Sequence, residues 1–305
     1  MKAAAFTTPG PPENLVLTEV DEPRAGEGQV RVRVMAAGVQ PFDAAFRAGW
    51  EPPMATLTWP RIPGNEFAGV IDQVGGGVTT SGIGDEVLGF TVLNACAEYI
   101  VVSADHVTPK PAEMPWEVAG GFTAGAQTAY NSLDALAVGA GDTLVVHAAA
   151  GSVGTFAVQL AKLRGANVIG TASEANQEYL RGLGATPVVY GVGLLDRLRE
   201  AAPEGIDAAL DGAGGAALDA SLELVQDRNR IVTLVEHGKA AGLGIQTAPA
   251  IRTAARLGEI AALYAAGKVA VHIRRTFPLA EAAAAHREIE TGHGRGKLVL
   301  VVSGG

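Results

Sequence analysis

Two hydrophobic rhythms divide this chain. Up to about residue 122, apolar and polar positions alternate over short stretches. The alternation is strictest in Gln29-Val30-Arg31-Val32-Arg33-Val34, the mark of a half-buried strand. Residues 64–71, 84–89 and 97–102 read as further short strands and turns, and the N-terminal 2–6 stretch reads as a first strand. Glycines interrupt these runs at short spacing, as a compact barrel-like β domain requires. From about residue 123 the rhythm changes. Apolar runs at 144–146, 167–172, 186–190, 205–211 and 230–235 are separated by helical patterns, including 155–162 and 176–183, the latter closed by Gly184. Strands alternating with helices predict a doubly wound parallel sheet, a mixed α/β fold. From Lys268 the chain returns to strands around a helix near 279–291. That tail is expected to fold back onto the N-terminal domain, with a cleft between the two domains. The expected division is 1–122 together with 268–305, and 123–267.

The sharpest feature lies where the first run of the second region ends. Leu144-Val145-Val146-His147 stops at Ala148-Ala149-Ala150-Gly151-Ser152-Val153-Gly154, and an amphipathic pattern follows at once. A strand, a turn of small residues and a helix N-terminus let a pyrophosphate approach free N–H groups and the positive end of a helix dipole. Residues Ala149, Ala150, Gly151, Ser152, Val153 and Gly154 are the candidates to hold it, although Ala148 stands where a first glycine often sits. Alone, such a loop is no more than a tight turn. The strand–helix alternation after it makes nucleotide binding the expectation.

Composition narrows the rest. The 305 residues carry a net charge of −9, which argues against nucleic acid or an acidic membrane surface as partner. No apolar run is long enough to span a bilayer, and the N-terminal apolar stretch is too short for a signal peptide, so a cytoplasmic protein is expected. Cys96 is the single cysteine, which excludes an internal disulfide and a cysteine-rich zinc site.

Several stretches, in order and over nearly the whole chain, resemble the zinc-independent quinone oxidoreductase branch of the medium-chain dehydrogenase/reductase superfamily. They are Ala36-Ala37-Gly38-Val39-Gln40-Pro41-Phe42-Asp43 with Arg47 and Gly49, and Pro63-Gly64-Asn65-Glu66-Phe67-Ala68-Gly69. Val74-Gly75-Gly76-Gly77-Val78, Gly84-Asp85-Glu86-Val87 and Thr128-Ala129-Tyr130 follow. The series ends with Arg275-Thr276-Phe277-Pro278-Leu279-Ala280-Glu281-Ala282 and Arg295-Gly296-Lys297. The resemblance implies a GroES-like β-barrel catalytic domain beside a Rossmann nucleotide-binding domain. It also implies a homodimer paired through the nucleotide-domain sheet, for which 268–274 could supply a strand.

Zinc-dependent members hold a catalytic metal at positions that correspond here to Gln40, Asn65 and Ala124. These lack the thiolate or imidazole donors that zinc requires, so no metal is expected. The expected chemistry is hydride transfer from a nicotinamide to a small-molecule quinone or to the β-carbon of an α,β-unsaturated carbonyl. The second strand of the nucleotide domain ends at Ala172 without the acid that binds an NAD ribose, which favours NADPH over NADH. By resemblance, Ser173, Asn176 and Tyr190 surround the 2′-phosphate, although Ala175 stands at a usual lysine position. The basic loop before the last strand, with Arg295 and Lys297, approaches the cofactor. Gln40, Asn65 and Thr128 are placed near the nicotinamide and substrate. Phe46, Trp50 and Trp59, in a proline-rich segment, are candidates for a flat apolar substrate pocket, against the equal alternative of ordinary packing. Two other functions remain open: reduction of an enoyl thioester or dedicated biosynthetic intermediate, and NADPH binding for a structural or sensing role without turnover.

Overall fold

The computed structural model describes residues 1–53, 55 and 57–302. Met54 and Thr56 of the proline-rich segment, and the last three residues of the tail, lie outside the described residues. The chain begins with strands β1 (Lys2–Ala5), β2 (Val16–Glu19) and β3 (Gln29–Val39), then helix α1 (Pro41–Ala48). Strands β4 (Glu66–Val74), β5 (Glu86–Phe90), β6 (Tyr99–Ser103) and β7 (Val107–Pro109) follow. Next come helices α2 (Trp116–Gly120) and α3 (Thr123–Ala135). The alternating part is β8 (Thr143–Val146), α4 (Ser152–Leu163), β9 (Asn167–Ala172), α5 (Gln177–Gly182), β10 (Thr186–Val189) and α6 (Leu194–Ala201). It continues with β11 (Ala208–Asp211), α7 (Ala216–Leu224), β12 (Ile231–Thr233), α8 (His237–Leu243) and β13 (Gln246–Thr247). The chain closes with α9 (Ala254–Ala265), β14 (Ile273–Pro278), α10 (Ala282–Glu290) and β15 (Lys297–Val301).

The chain forms two compact units: residues 1–124, 252–267 and 272–305, and residues 125–251 with 268–271. In the first, a seven-stranded sheet runs β14-β15-β3-β4-β5-β7, with β6 also on β3. The long β3 has a strictly alternating burial pattern over its first half, as its Val–Arg alternation predicts. One edge of β3 pairs with β4 throughout. The other edge is shared, with β6 along Gln29–Arg33 and β15 along Ala36–Val39. Register shifts near Arg31/Val32 and Val34/Ala36 bend β3 enough to serve both partners. Val30, Val32, Val34, Phe67, Ile71 and Ile100 fill the core beneath it. The tail therefore joins the N-terminal sheet. This is a GroES-like domain.

The second unit is built on a wholly parallel sheet in the order β10-β9-β8-β11-β12-β13. Numbered within the unit, that is 3-2-1-4-5-6, the doubly wound Rossmann order, whose switch point lies between β8 and β11. The five expected strands are present, and β13 is an addition of only two residues.

The boundaries differ from expectation in two places. Helix α9 groups with the barrel unit, because its buried face (Leu257, Ile260, Ala261) comes against β7, where Gly258 sits close to Thr108. Of the 268–274 stretch, a candidate dimer strand, residues 268–272 are in no strand and 273–274 open β14. Both peptide groups of Ala270 are instead bonded by the Gln159 side-chain amide, at 2.7 and 2.9 Å. No helix among the described residues is long and apolar enough to cross a membrane.

Candidate functional site

Side chains that carry chemistry gather in two places, one in each unit. In the nucleotide unit the loop from β8 to α4 has the shape its small residues allow. Ala148 takes a left-handed φ of 55°, the backbone a first glycine would adopt. Gly154 is required for space: a Cβ there would lie 2.5 Å from the Ala148 carbonyl oxygen and 2.6 Å from Ala149 Cα. Gly151 caps α4 in extended conformation, and no side chain caps this helix. A cradle that a Cβ would fill, at a helix N-terminus open to an anion, fits a pyrophosphate. Ala149 and Ala150 are buried beneath it, while Ser152 and Val153 stand half-buried on the first turn.

The end of β9 gathers the ribose-edge candidates. Asn176 Nδ2 donates to Ser173 Oγ at 3.1 Å, and the Tyr190 N–H bonds the Ala172 carbonyl. Tyr190 is 49% exposed. Glu174, the nearest acid, opens the 3-10 turn that follows the strand, and Arg181 is paired with Glu178 farther along α5. Two residues that sequence reading passed over shape the neighbouring strand ends. Asp211, wholly buried, accepts the N–H groups of Ala213 and Gly214 at 3.0 and 2.7 Å and the Thr233 hydroxyl at 2.8 Å. The pair thereby fixes the turns after β11 and β12. An acid at the end of an apolar strand, before Gly212-Ala213-Gly214-Gly215, was the available signal. His147 bonds Thr171 through Nδ1 and Ser221 through Nε2, each at 3.0 Å, and burial pushes its pKa down to about 4. It is a neutral structural group. Tyr130 lies beneath the Arg164 guanidinium, and Thr128 is half-buried on α3.

In the barrel unit, Gln40 and Asn65 belong to one buried polar cluster centred on Glu66. Gln40 ends β3 and caps α1, whose N-terminus is set by Pro41 and by Asp43 accepting the Gln40 N–H at 2.8 Å. The Gln40 side chain donates through Nε2 to Glu66 Oε1 at 2.5 Å. Glu66 Oε2 accepts the Ala124 N–H at 2.6 Å, near the start of α3. Asp43 also accepts the Gly64 N–H, and complete burial pushes its pKa up to about 6 against those two bonds. The Arg252 guanidinium holds the Asn65 and Thr91 carbonyls, and burial lowers its pKa. Asn65 itself is buried, with Oδ1 lacking a hydrogen-bond partner among the described residues.

Two expectations are corrected. Lys297 is not in the flexible loop but is the first residue of β15, fully buried, with Nζ 2.5 Å from Glu66 Oε1. Arg295 alone remains half-exposed on that loop, with His272 beside it. Phe46 lines no open pocket: the inward face of α1 carries it into the core, edge-on to Phe6 at 5.4 Å. Trp50 and Trp59 are about half exposed, the first against Phe42 and the second against Phe6 with Arg61 stacked 4.1 Å from its ring. Cys96 is buried, and desolvation pushes its thiol pKa well up.

Among the described residues, no group of three or more His, Cys, Asp and Glu side chains could hold a metal ion. Gln40 and Ala124, at two of the three positions that correspond to zinc ligands, instead meet at the Glu66 carboxylate.

Comparison with known proteins agrees with this architecture. A family model described as an alcohol dehydrogenase GroES-like domain matches residues 26–138, and one described as a zinc-binding dehydrogenase matches 183–300. A 2-haloacrylate reductase from Burkholderia sp is 30% identical over 334 residues, covering 98% of each chain. The spectinabilin polyketide synthase system protein NorB of Streptomyces orinoci is 32% identical over 96% of this chain, which spans only 14% of that protein's length. The quinone oxidoreductase of Coxiella burnetii superposes with a TM-score of 0.90 at 31% identity over 99% of both chains. Escherichia coli quinone oxidoreductase complexed with NADPH superposes with a TM-score of 0.88 at 26% identity, over 99% of this chain and 100% of that one. With its barrel and Rossmann units, its glycine-cradled loop and these likenesses, the chain belongs to the quinone oxidoreductase branch of the medium-chain dehydrogenase/reductase superfamily.

Proposed function

We propose that this chain is an NADPH-dependent reductase that transfers hydride, without a metal, to a quinone or to the β-carbon of an α,β-unsaturated carbonyl. The observation that carries the reading is the end of β9. Ser173, Asn176 and Tyr190 gather there, and no carboxylate ends the strand to bind a ribose 2′-hydroxyl. Hydroxyls and an amide can bond a 2′-phosphate that an acid would repel. The likeness to a quinone oxidoreductase complexed with NADPH supports the same cofactor.

Ala149 to Gly154 would hold the pyrophosphate, with the N-terminus of α4 facing it. Bound NADPH would supply the hydride. At the reacting end Gln40 and Asn65 are assigned to the substrate. Gln40 Nε2 spends one N–H on Glu66 and keeps the other for a carbonyl oxygen that gains negative charge. Asn65 Oδ1 is a buried acceptor open to a donor. Trp50 and Trp59 offer exposed apolar faces to a flat substrate. Without a tyrosine acid in that segment, the proton that completes enone reduction is assigned to water. Amide and methyl groups at the zinc-corresponding positions support a metal-free reaction. A homodimer in the cytoplasm is the proposed working form.

A second reading, reduction of an enoyl thioester, draws on the 32% identity to a polyketide synthase protein over nearly all of this chain. Consumption of NADPH, beside NADH, against ortho- and para-quinones, short enones and an enoyl thioester separates these readings. Turnover of quinones or enones that a chelator leaves unchanged is expected. Turnover of the thioester alone would favour the second reading. Tight NADPH binding with no acceptor reduced would overturn both and leave a structural or sensing role.

A further inference from the structure

We infer that Lys297 is a positioning residue for the reaction, acting through Glu66 to fix the amide of Gln40. The inference rests on the proposed role of Gln40 at the substrate oxygen. Lys297 and Glu66 are 2% and 0% exposed, and their charged atoms lie 2.5 Å apart. The same carboxylate oxygen, Oε1, takes the Gln40 amide at 2.5 Å, while Oε2 takes the Ala124 N–H. One carboxylate thus joins the end of β3, the start of β4, the start of α3 and the start of β15.

The chain leaves room for this pair at two glycines. A Cβ on Gly38 would lie 1.9 Å from Glu66 Oε1 and 2.8 Å from Lys297 Cε, and one on Gly121 would lie 2.7 Å from Lys297 Cγ. Neither glycine has the positive φ that would require glycine for backbone reasons. Both are needed for space.

Stability alone is a poor reason for such an arrangement. Removing a lysine and a glutamate from water costs about what their attraction returns, and an apolar pair of similar volume often does as well. Geometry is the better reason. A primary amide presents donors at one end and an acceptor at the other, and it can be held either way round. A carboxylate accepts and never donates, so it turns Nε2 of Gln40 toward itself and leaves the second N–H in a fixed direction. The Lys297 ammonium lies against that carboxylate and holds it in place. Asp43 and Arg252 complete the charged surroundings: Asp43 senses both Lys297 and Glu66, and Arg252 senses Glu66 and Asp43.

Replacing Lys297 alone would strand a buried charge and endanger folding, so the test uses Glu66→Gln/Lys297→Met, which buries none. With the best acceptor from the panel, kcat of this variant is expected to fall about tenfold to a hundredfold, in the range set by misplaced reacting groups. Its NADPH affinity, read by nicotinamide fluorescence, and its melting temperature should stay close to those of the parent. Gln40→Leu should lower kcat by at least as much. Adding it to the double variant should cost nothing beyond Gln40→Leu alone, because the pair acts only through that amide. A folded double variant with parental kcat, or effects that multiply in the triple variant, would overturn the role of Lys297. Parental kcat in Gln40→Leu would instead overturn the reading of Gln40 on which it rests.

Discussion

Asp43 and Glu66 are buried carboxylates of one cluster, held by different partners. Asp43 has backbone N–H groups from Gln40 and Gly64, and burial pushes its pKa up to about 6. Glu66 has the Lys297 ammonium and two N–H donors. Single atoms decide such outcomes, and the ribose edge offers the clearest test at this scale. Ser173→Asp would place a carboxylate at the end of β9, beside Asn176 and near Tyr190. Like charges at close range cost several kcal/mol, while an acid there can bond a 2′-hydroxyl. The ratio of kcat/KM for NADPH to that for NADH is expected to fall at least tenfold, and an unchanged ratio would remove Ser173 from the site. That Ser173, Asn176 and Tyr190 come together was legible in the sequence, because strand end, turn and next strand are near neighbours. Lys297 was not. After Gly292, Gly294 and Gly296 it reads as part of a flexible basic loop near the cofactor, and only the fold brings it to Glu66 and to the space beside Gly38 and Gly121.

The loop from β8 to α4 shows how an element can keep its shape while its residues trade places. Ala148 occupies a left-handed backbone position where glycine is easier, and Gly154 occupies a helical position where only glycine fits. The two should respond oppositely. Gly154→Ala must push α4 away from Ala148 and Ala149, so a lower melting temperature and at least a tenfold weaker NADPH affinity are expected. Ala148→Gly relieves about 1–2 kcal/mol of backbone strain against about 0.5–1 kcal/mol of added chain entropy. It should leave stability equal or raise it by up to about 1.5 kcal/mol, measured by urea unfolding. The parallel alternation of this unit was readable because each apolar run is followed by a helical period. Helix α9 was misassigned for a related reason: periodicity shows that Leu257, Ile260 and Ala261 are covered, but not that β7 covers them. The two residues of β13 carry no period to read.

At the scale of the whole molecule, buried titratable groups make the two units respond differently to acid. In the barrel unit, burial lowers the His286 pKa to about 3, and Arg47 adds to the effect, while Asp43 is raised to about 6. Between about pH 6 and 4 the unfolded chain binds a proton at His286 that the folded unit refuses. Over the same window the folded unit binds one at Asp43 that the unfolded chain lacks. These contributions oppose one another, so this pair of groups should change the stability of the barrel unit little over that range. In the nucleotide unit His147, lowered to about 4, has no such counterweight among the shifted groups. Its unfolded form takes up a proton below about pH 6.5 that the folded form excludes, so stability is lost as pH falls toward 4. The slope is about 1.4 kcal/mol per pH unit for one proton. Acid should therefore loosen the nucleotide unit first. Hydrogen exchange, corrected for the intrinsic effect of pH, should show protection in β8 and β9 falling from pH 6.5 to 4 while β3 and β4 hold. His147→Gln, with a side chain that stays neutral, should remove that fall. Equal losses in both units, or a fall that survives His147→Gln, would show that a different group carries the acid response.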